Sequence, residues 1–249
     1  MSTELSPEDG GGKPPLALIA GPTASGKSDL AVRLALARRE RGLASVVINA
    51  DSAQVYADLR VLSARPSDEE MQGVPHRLFG TWDGASACSA AAWAEAARRE
   101  IAEAHAAGAL PILVGGTGLY QRVLLVGIAP VPPIDPAVRQ AVRAMPVAEA
   151  HAALAREDPQ RAATLHPNDT LRVARALEVI RSTGKPLAFW QQVHAHGIED
   201  RVSLCPLVLL PDMATVRARA EARIAAMVEA GAASEVRALL ARGLSPDLP

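Results

Sequence analysis

Cysteine is almost absent from this chain, with Cys88 and Cys205 the two present among 249 residues and far apart in sequence. That excludes a disulfide framework or a cysteine-based metal knuckle and suits buried thiols in a reducing cytoplasm. Aromatic residues are also scarce (two Phe, two Tyr, three Trp), so ring stacking cannot be the main source of affinity for a nucleic acid. No stretch approaches the ~20 uninterrupted apolar residues of a membrane span. Residues 1–13 are acidic and Gly-rich, without the basic-then-apolar order of a secretory signal, and are expected to be a disordered leader. Charge of one sign is missing too. The net charge of −1 announces no polyanionic partner.

What is present is a chain 49% hydrophobic, enough for one substantial core and a smaller appendage. The charge is unevenly spread. Residues 65–103 carry four basic and seven acidic side chains, whereas residues 136–185 carry eight basic and five acidic. A basic binding face and an ordinary solvated helical surface both produce such an asymmetry.

Pro15-Leu-Ala-Leu-Ile-Ala20 is a short apolar run between Pro and Gly, which predicts a buried parallel strand. A glycine-punctuated turn from Gly21 to Ser28 leads into an Ala/Leu/Arg helix to about Arg41, closed by Gly42. Ser45 to Asn49 predicts a second strand, with Asp51 just past its end. A long helix over about Ser89–Ala107 stops at Gly108, and Pro111 to Val114 predicts a third strand running into Gly115-Gly116-Thr117. Strand and helix alternating over short connections predict a parallel sheet covered on both faces. Pro130, Pro132, Pro133 and Pro136 then exclude a helix interior, and short helices without a strand follow to about Val193. A strand pattern returns at Val202–Leu210. The expected organisation is an α/β core of residues 14–120 and 201–249, interrupted by a helical insertion of residues 121–200.

Gly21-Pro22-Thr23-Ala24-Ser25-Gly26-Lys27-Ser28 fits the P-loop pattern G-x-x-x-x-G-K-[ST], and it has the preceding strand and following helix that the pattern requires. Glycines let successive N–H groups point at phosphate oxygens, and the helix start adds a partial positive charge. Lys27 supplies a full charge, and the Ser28 hydroxyl is able to ligate Mg²⁺. These residues predict a diphosphate or triphosphate site. Kinases, ATPases, GTPases and a few transferases share such a loop. The third strand ends in Val114-Gly-Gly-Thr117 with no carboxylate, which argues against motor and switch ATPases. Asp51 stands where small-molecule kinases place an acid that binds the acceptor. As Asp-Ser is also common in turns, a capping role remains open for it.

Four blocks together resemble the tRNA dimethylallyltransferases: Gly21–Ser28 with its internal Pro-Thr-Ala-Ser, Asn49-Ala-Asp-Ser-Ala-Gln-Val-Tyr56, Gly115-Gly-Thr-Gly-Leu-Tyr120, and Asn168–Val179 followed by Ser182-Thr-Gly-Lys-Pro186. The resemblance runs from about Leu16 to Leu244. It implies a P-loop NTPase-like α/β fold, and transfer of a dimethylallyl group from its diphosphate to N6 of the adenosine immediately 3′ of the tRNA anticodon. It further implies Mg²⁺ as cofactor, no membrane, a cytoplasmic setting and an expected monomer. By the same resemblance, the loop Gly21–Ser28 holds the diphosphate, with Thr23 and Ser28 as hydroxyls around diphosphate and metal, and Asp51 is the general base. Ser52, Ala53 and Gln54 meet the tRNA, Thr117 lies near the target nucleotide, and Arg172 and Arg175 form a tRNA-facing helix face. Arg223 reaches the diphosphate, with Arg219 one turn earlier.

There are departures from the family pattern. Asp169-Thr-Leu-Arg172 replaces the usual Asp-Pro-Gln-Arg, removing a glutamine contact to tRNA. The family's C-terminal helices normally continue past Gly243-Leu244, so the core is expected to be truncated there. A small-molecule kinase, a prenyltransferase acting on free adenine nucleotides, and an inactive tRNA-binding remnant are the alternatives these residues leave.

Overall fold

The structure, a computed structural model, describes residues 12–193, 195–245 and 248. Most of the expected leader, residues 1–11, lies outside the described residues. In chain order the elements are β1 (Pro15–Ala20), α1 (Lys27–Arg39), β2 (Ser45–Asn49), α2 (Asp68–Met71), β3 (His76–Arg77), α3 (Ala90–Ala106), β4 (Leu110–Gly115) and α4 (Gly118–Leu125). There follow β5 (Gly127–Ile128), α5 (Pro136–Arg143), α6 (Val147–Glu157), α7 (Pro159–Thr164), α8 (Thr170–Thr183), α9 (Leu187–Trp190), β6 (Ala195–His196), β7 (Ser203–Val208), α10 (Met213–Glu229) and α11 (Ala232–Ala241). They form two compact units. One runs to Leu125 and resumes at Ile198; the other is Val126–Gly197.

The first unit is built on a five-stranded parallel sheet in the order β3-β2-β4-β1-β7. Alternation along β1 explains its two layers. Leu16 and Leu18 face a cluster with Trp93, Ala97 and Ile101 of α3, while Ala17 and Ile19 face Ala31, Val32 and Ala35 of α1. The apolar run is thus a strand buried on both sides, as parallel sheets demand. Ser89 caps α3 by accepting from the Ala92 N–H, and Gly108 (φ +66°) ends it in the left-handed conformation. Tyr120, Val123 and Leu124 of α4 join the Trp93 cluster, with Tyr120 stacked on Trp93 at 4.6 Å.

Register fixes where the functional loops emerge. Ile19 pairs with Val114, and Val114 pairs with Asn49, so β1, β4 and β2 end side by side. Loops leaving the carboxyl ends of adjacent parallel strands share one crevice. The strands approach so closely there that a Cβ on Gly115 would overlap the Ala50 carbonyl. Gly115→Ala is expected to destabilise the first unit by about 1–3 kcal/mol, measurable by urea unfolding.

The second unit is helical, with β5 and β6 pairing antiparallel at its ends. Its core is Val142, Ala150, Ala153, Leu154, Ala162, Val173, Ala176 and Leu177. Asp169 caps α8 by accepting from the Arg172 N–H, and Gly184 (φ +67°) ends the helix. One carboxylate in this unit is almost wholly buried. Glu178 of α8, 2% exposed, accepts from Arg143 at 3.0 Å and lies 3.9 Å from Arg139 and 3.8 Å from Arg175. A buried anion needs such partners. Glu178→Ala should therefore cost about 1–3 kcal/mol in urea unfolding, because three guanidinium groups are left facing one another beside a void. Among the described residues, no helix is long and apolar enough to cross a membrane.

Candidate active site

Between β1 and α1 the chain turns through the P-loop. Ala24 (φ +62°) and Gly26 (φ +90°) are left-handed, and the strain at Ala24 is of order 1–2 kcal/mol. The turn hands the chain to α1 at Lys27, so the first-turn amides of that helix face the loop. Ser25 is buried, whereas Thr23, Gly26 and Ser28 are exposed. The Lys27 ammonium reaches back over the loop, donating to the Pro22 carbonyl and lying 3.5 Å from Ser25 Oγ. Burial holds the Lys27 pKa below its ordinary value; the nearby Asp51 opposes that shift and Arg223 adds to it.

Asp51 follows β2 in a loop fixed by Asn49. The fully buried Asn49 side chain accepts from the Asp51 N–H at 2.9 Å and donates to the carbonyls of Asp51 (3.0 Å) and Leu78 (3.1 Å). Trp93 Nε1 donates to the Asn49 carbonyl at 2.9 Å. One Asp51 carboxylate oxygen accepts from the Ala53 N–H at 2.9 Å, so the acid does make a local turn as well as facing the cleft. Thr117, just past β4, ties the loop from the other side. Its Oγ1 accepts from the Ser52 N–H at 2.9 Å and donates to Ser52 Oγ at 3.3 Å. Thr117 is half-buried, and Ser52 and Ala53 are exposed. Gln54 is placed otherwise. It is buried, and its amide donates to the carbonyls of Ser63 (3.0 Å) and Ala64 (3.1 Å).

P-loop and acid line a single cleft of about 1190 Å³, bounded by Thr23–Ser28, Asp51, Gln54, residues 60–67, Arg219 and Arg223. Lys27, Arg60, Arg65, Arg219 and Arg223 bring five cationic groups to its walls against Asp29, Asp51 and Glu70. That surplus suits a ligand with several negative charges. Arg223 of α10 donates to the Ala64 carbonyl at 3.2 Å, so it is braced on the 60–65 wall. Arg60 and Arg65 carry no motif that marks them in the sequence, and only the path of the loop brings them here. A smaller cavity of about 360 Å³ beside Arg39, Leu43 and Val74 opens near Ser45, at the other end of β2.

Arg172 and Arg175 belong to the second unit. Arg172 is exposed and paired with Asp169 at 3.2 Å, and Arg175 shares Glu178 with Arg139 and Arg143. Among the described residues, no three His, Cys, Asp or Glu side chains form a group able to hold a metal. The cleft does present the Ser28 hydroxyl as a hard oxygen donor. One such ligand fits Mg²⁺ arriving with phosphate oxygens and is too little to cage a bare cation.

The model of the IPP transferase family matches residues 54–249. The chain is 66% identical over 244 residues to the tRNA dimethylallyltransferase of Erythrobacter litoralis, covering 98% of this chain and 77% of that protein. It is 65% identical over 234 residues to the corresponding protein of Sphingopyxis alaskensis, covering 94% and 75%. Among solved structures, it resembles the tRNA isopentenylpyrophosphate transferase of Bacillus halodurans, with a TM-score of 0.62 and 34% identity over 95% of this chain and 73% of that one. It also resembles a eukaryotic dimethylallyltransferase acting on tRNA, with a TM-score of 0.78 and 25% identity over 95% of this chain. This chain spans 58% of that protein's length.

Proposed function

This chain belongs to the IPP transferase family, and from that premise we propose that it transfers a dimethylallyl group from dimethylallyl diphosphate to the N6 amine of the adenosine immediately 3′ of a tRNA anticodon. The observation that carries the reading is the meeting of Lys27, Ser28 and Asp51 on one cleft whose walls are otherwise rich in arginine. The P-loop takes the diphosphate and Asp51 faces the carbon to be transferred.

In the reaction the allylic C–O bond breaks and a C–N bond forms. The electron pair of the broken bond leaves with diphosphate, and one N6 proton passes to the Asp51 carboxylate. An exocyclic adenine amine is a poor nucleophile because its lone pair is delocalised into the ring. A fixed carboxylate that orients the amine and accepts its proton lowers that barrier. Asn49 and Thr117 supply the fixing, through hydrogen bonds on both sides of Asp51. Lys27, the loop amides and Arg223 take up charge on the departing diphosphate, a preorganised electrostatic contribution. When bound, Mg²⁺ adds Lewis-acid stabilisation of the same oxygens, with the Ser28 hydroxyl as its protein ligand.

The target base leaves its loop to enter such a cleft, at a cost of a few kcal/mol. Ser52 and Ala53 are exposed beside the acid, which supports a role for them in meeting that nucleotide. Unit Val126–Gly197, with Arg172 and Arg175 on α8, would grip anticodon stem phosphates. We assign the enzyme to the cytoplasm and to action as a monomer. The test is incubation with labelled dimethylallyl diphosphate, Mg²⁺ and unmodified tRNA, followed by nucleoside analysis, with AMP and ATP in parallel. Label on adenosine from tRNA is expected. Label on free AMP alone would assign a nucleotide prenyltransferase, and phosphate transfer from ATP a kinase.

A further inference from the structure

Helix α11 buries only Ala232 among its residues, so apolar packing does little to hold it. It is tied down by two polar side chains one heptad apart, and therefore on one helix face. Glu235 receives three successive backbone N–H groups, from Arg60 at 2.6 Å, Val61 at 2.9 Å and Leu62 at 2.8 Å. Arg242 donates one nitrogen to Asp58 and another to Asp83 at 2.6 Å. Consecutive amides converging on one carboxylate make a preformed anion nest. Here the chain fills its own nest with a residue 173 to 175 positions away.

The segment so held is the cleft wall. Residues 60–65 line the cleft, and the Ala64 carbonyl takes hydrogen bonds from both Gln54 and Arg223. Gln54 continues the loop that carries Asp51, and Arg223 is the arginine assigned to diphosphate. Three anchors thus meet on one stretch of backbone, and Glu235 is the anchor without a place in the cleft lining. Burial alone would push the Glu235 carboxyl up, but the three amides outweigh it and hold it below its ordinary range. The carboxylate is therefore charged throughout the neutral range.

We propose that α11 is a strap whose Glu235 and Arg242 hold the 58–64 wall in place, making Glu235 a positioning residue for the donor diphosphate through Ala64 and Arg223. The inference rests on the prenyl-transfer reading of the cleft. Arg223 meets the diphosphate when the donor binds and again as it departs, and loosening its brace without removing its charge weakens donor binding first and lowers kcat to a smaller extent.

The test is Glu235→Ala in the full chain. About a tenfold rise in KM for dimethylallyl diphosphate is expected with kcat within about threefold, as for loss of a charge-assisted anchor. Added formate or acetate should refill the nest and restore KM, a rescue that a merely structural role would not give. Unchanged KM, or a loss confined to kcat, would overturn the proposal. Two measurements keep the idea testable on other grounds. Mg²⁺-pyrophosphate affinity by calorimetry should fall about tenfold in the variant whether or not the protein modifies tRNA, so a failed transfer assay with wild type counts against the function and not against the strap. In wild-type protein, the amides of Arg60, Val61 and Leu62 should be protected from hydrogen exchange. Rapid exchange at all three would overturn the strap even if the variant does not fold.

Discussion

Asp51→Ala should reduce transfer to tRNA by ~10²-fold or more, the range for losing a general base, with donor affinity nearly unchanged. The separation follows from where the acid sits. Its carboxylate accepts a hydrogen bond within its own turn from Ala53, and a carboxylate, which only accepts, makes no hydrogen bond to phosphate oxygens. The backbone of the loop is held independently by Asn49 and Thr117, so truncation should not collapse the wall. One secondary effect is expected. Asp51 supports the charged form of Lys27 against burial and Arg223. Lys27 is already below its usual pKa, so its charge is present at low pH and lost as pH rises through that value. Without Asp51 this loss should begin at a lower pH, and donor affinity in the variant should weaken earlier on the alkaline side than in wild type. Single-turnover rates and calorimetric donor binding across pH 7–10 separate the two effects. An equal loss of donor affinity at neutral pH would refute the base assignment.

The parts of this site legible in the sequence are those whose partners lie nearby in the chain. The P-loop announces itself because strand, glycines, lysine and helix are contiguous, and left-handed Gly26 stands where the pattern requires it. The parallel sheet was equally readable from β1, whose unbroken apolar run is buried on both faces. Asp51 was visible as an acid after a strand, with its turn-forming role left open; the structure gives it both the turn and the cleft. What holds Asp51 was not legible. Asn49 reaches Leu78, and Thr117 reaches Ser52 across 65 residues, contacts that depend on β2 lying between β3 and β4.

Gln54 illustrates the opposite limit. In the motif it is one more polar residue after the acid, and nothing local signals that Ser63 and Ala64 turn their carbonyls towards it. Glu235 carries no signal in the sequence, because its partners are backbone amides and leave no side-chain pattern. Arg172 and Arg175 share spacing and type, yet one is capped by its helix start and the other is drawn to a buried carboxylate. Their difference arises from α5, whose arginines converge on the same Glu178.

Lys27→Ala is expected to lower kcat/KM by about 10²–10³-fold, the loss for one preorganised donor at a developing anion. Both kinetic parameters should suffer. The diphosphate carries charge when the donor binds, so KM rises; it gains charge as the allylic carbon departs, so kcat falls too. Stability should move little, because the Lys27 ammonium is half-buried and its protein partners are one carbonyl and one hydroxyl. In that position the ammonium occupies its own loop and must exchange the Pro22 carbonyl for phosphate oxygens when the donor arrives. Lys27→Arg should not restore the rate, since a planar guanidinium is larger and cannot turn within the loop as a compact ammonium does. Donor titration and single-turnover transfer measured on both variants decide the matter. A rise in KM with kcat intact would mean that Lys27 holds the donor equally well before and during bond breaking, leaving the charge of the departing diphosphate to Arg223 and the loop amides.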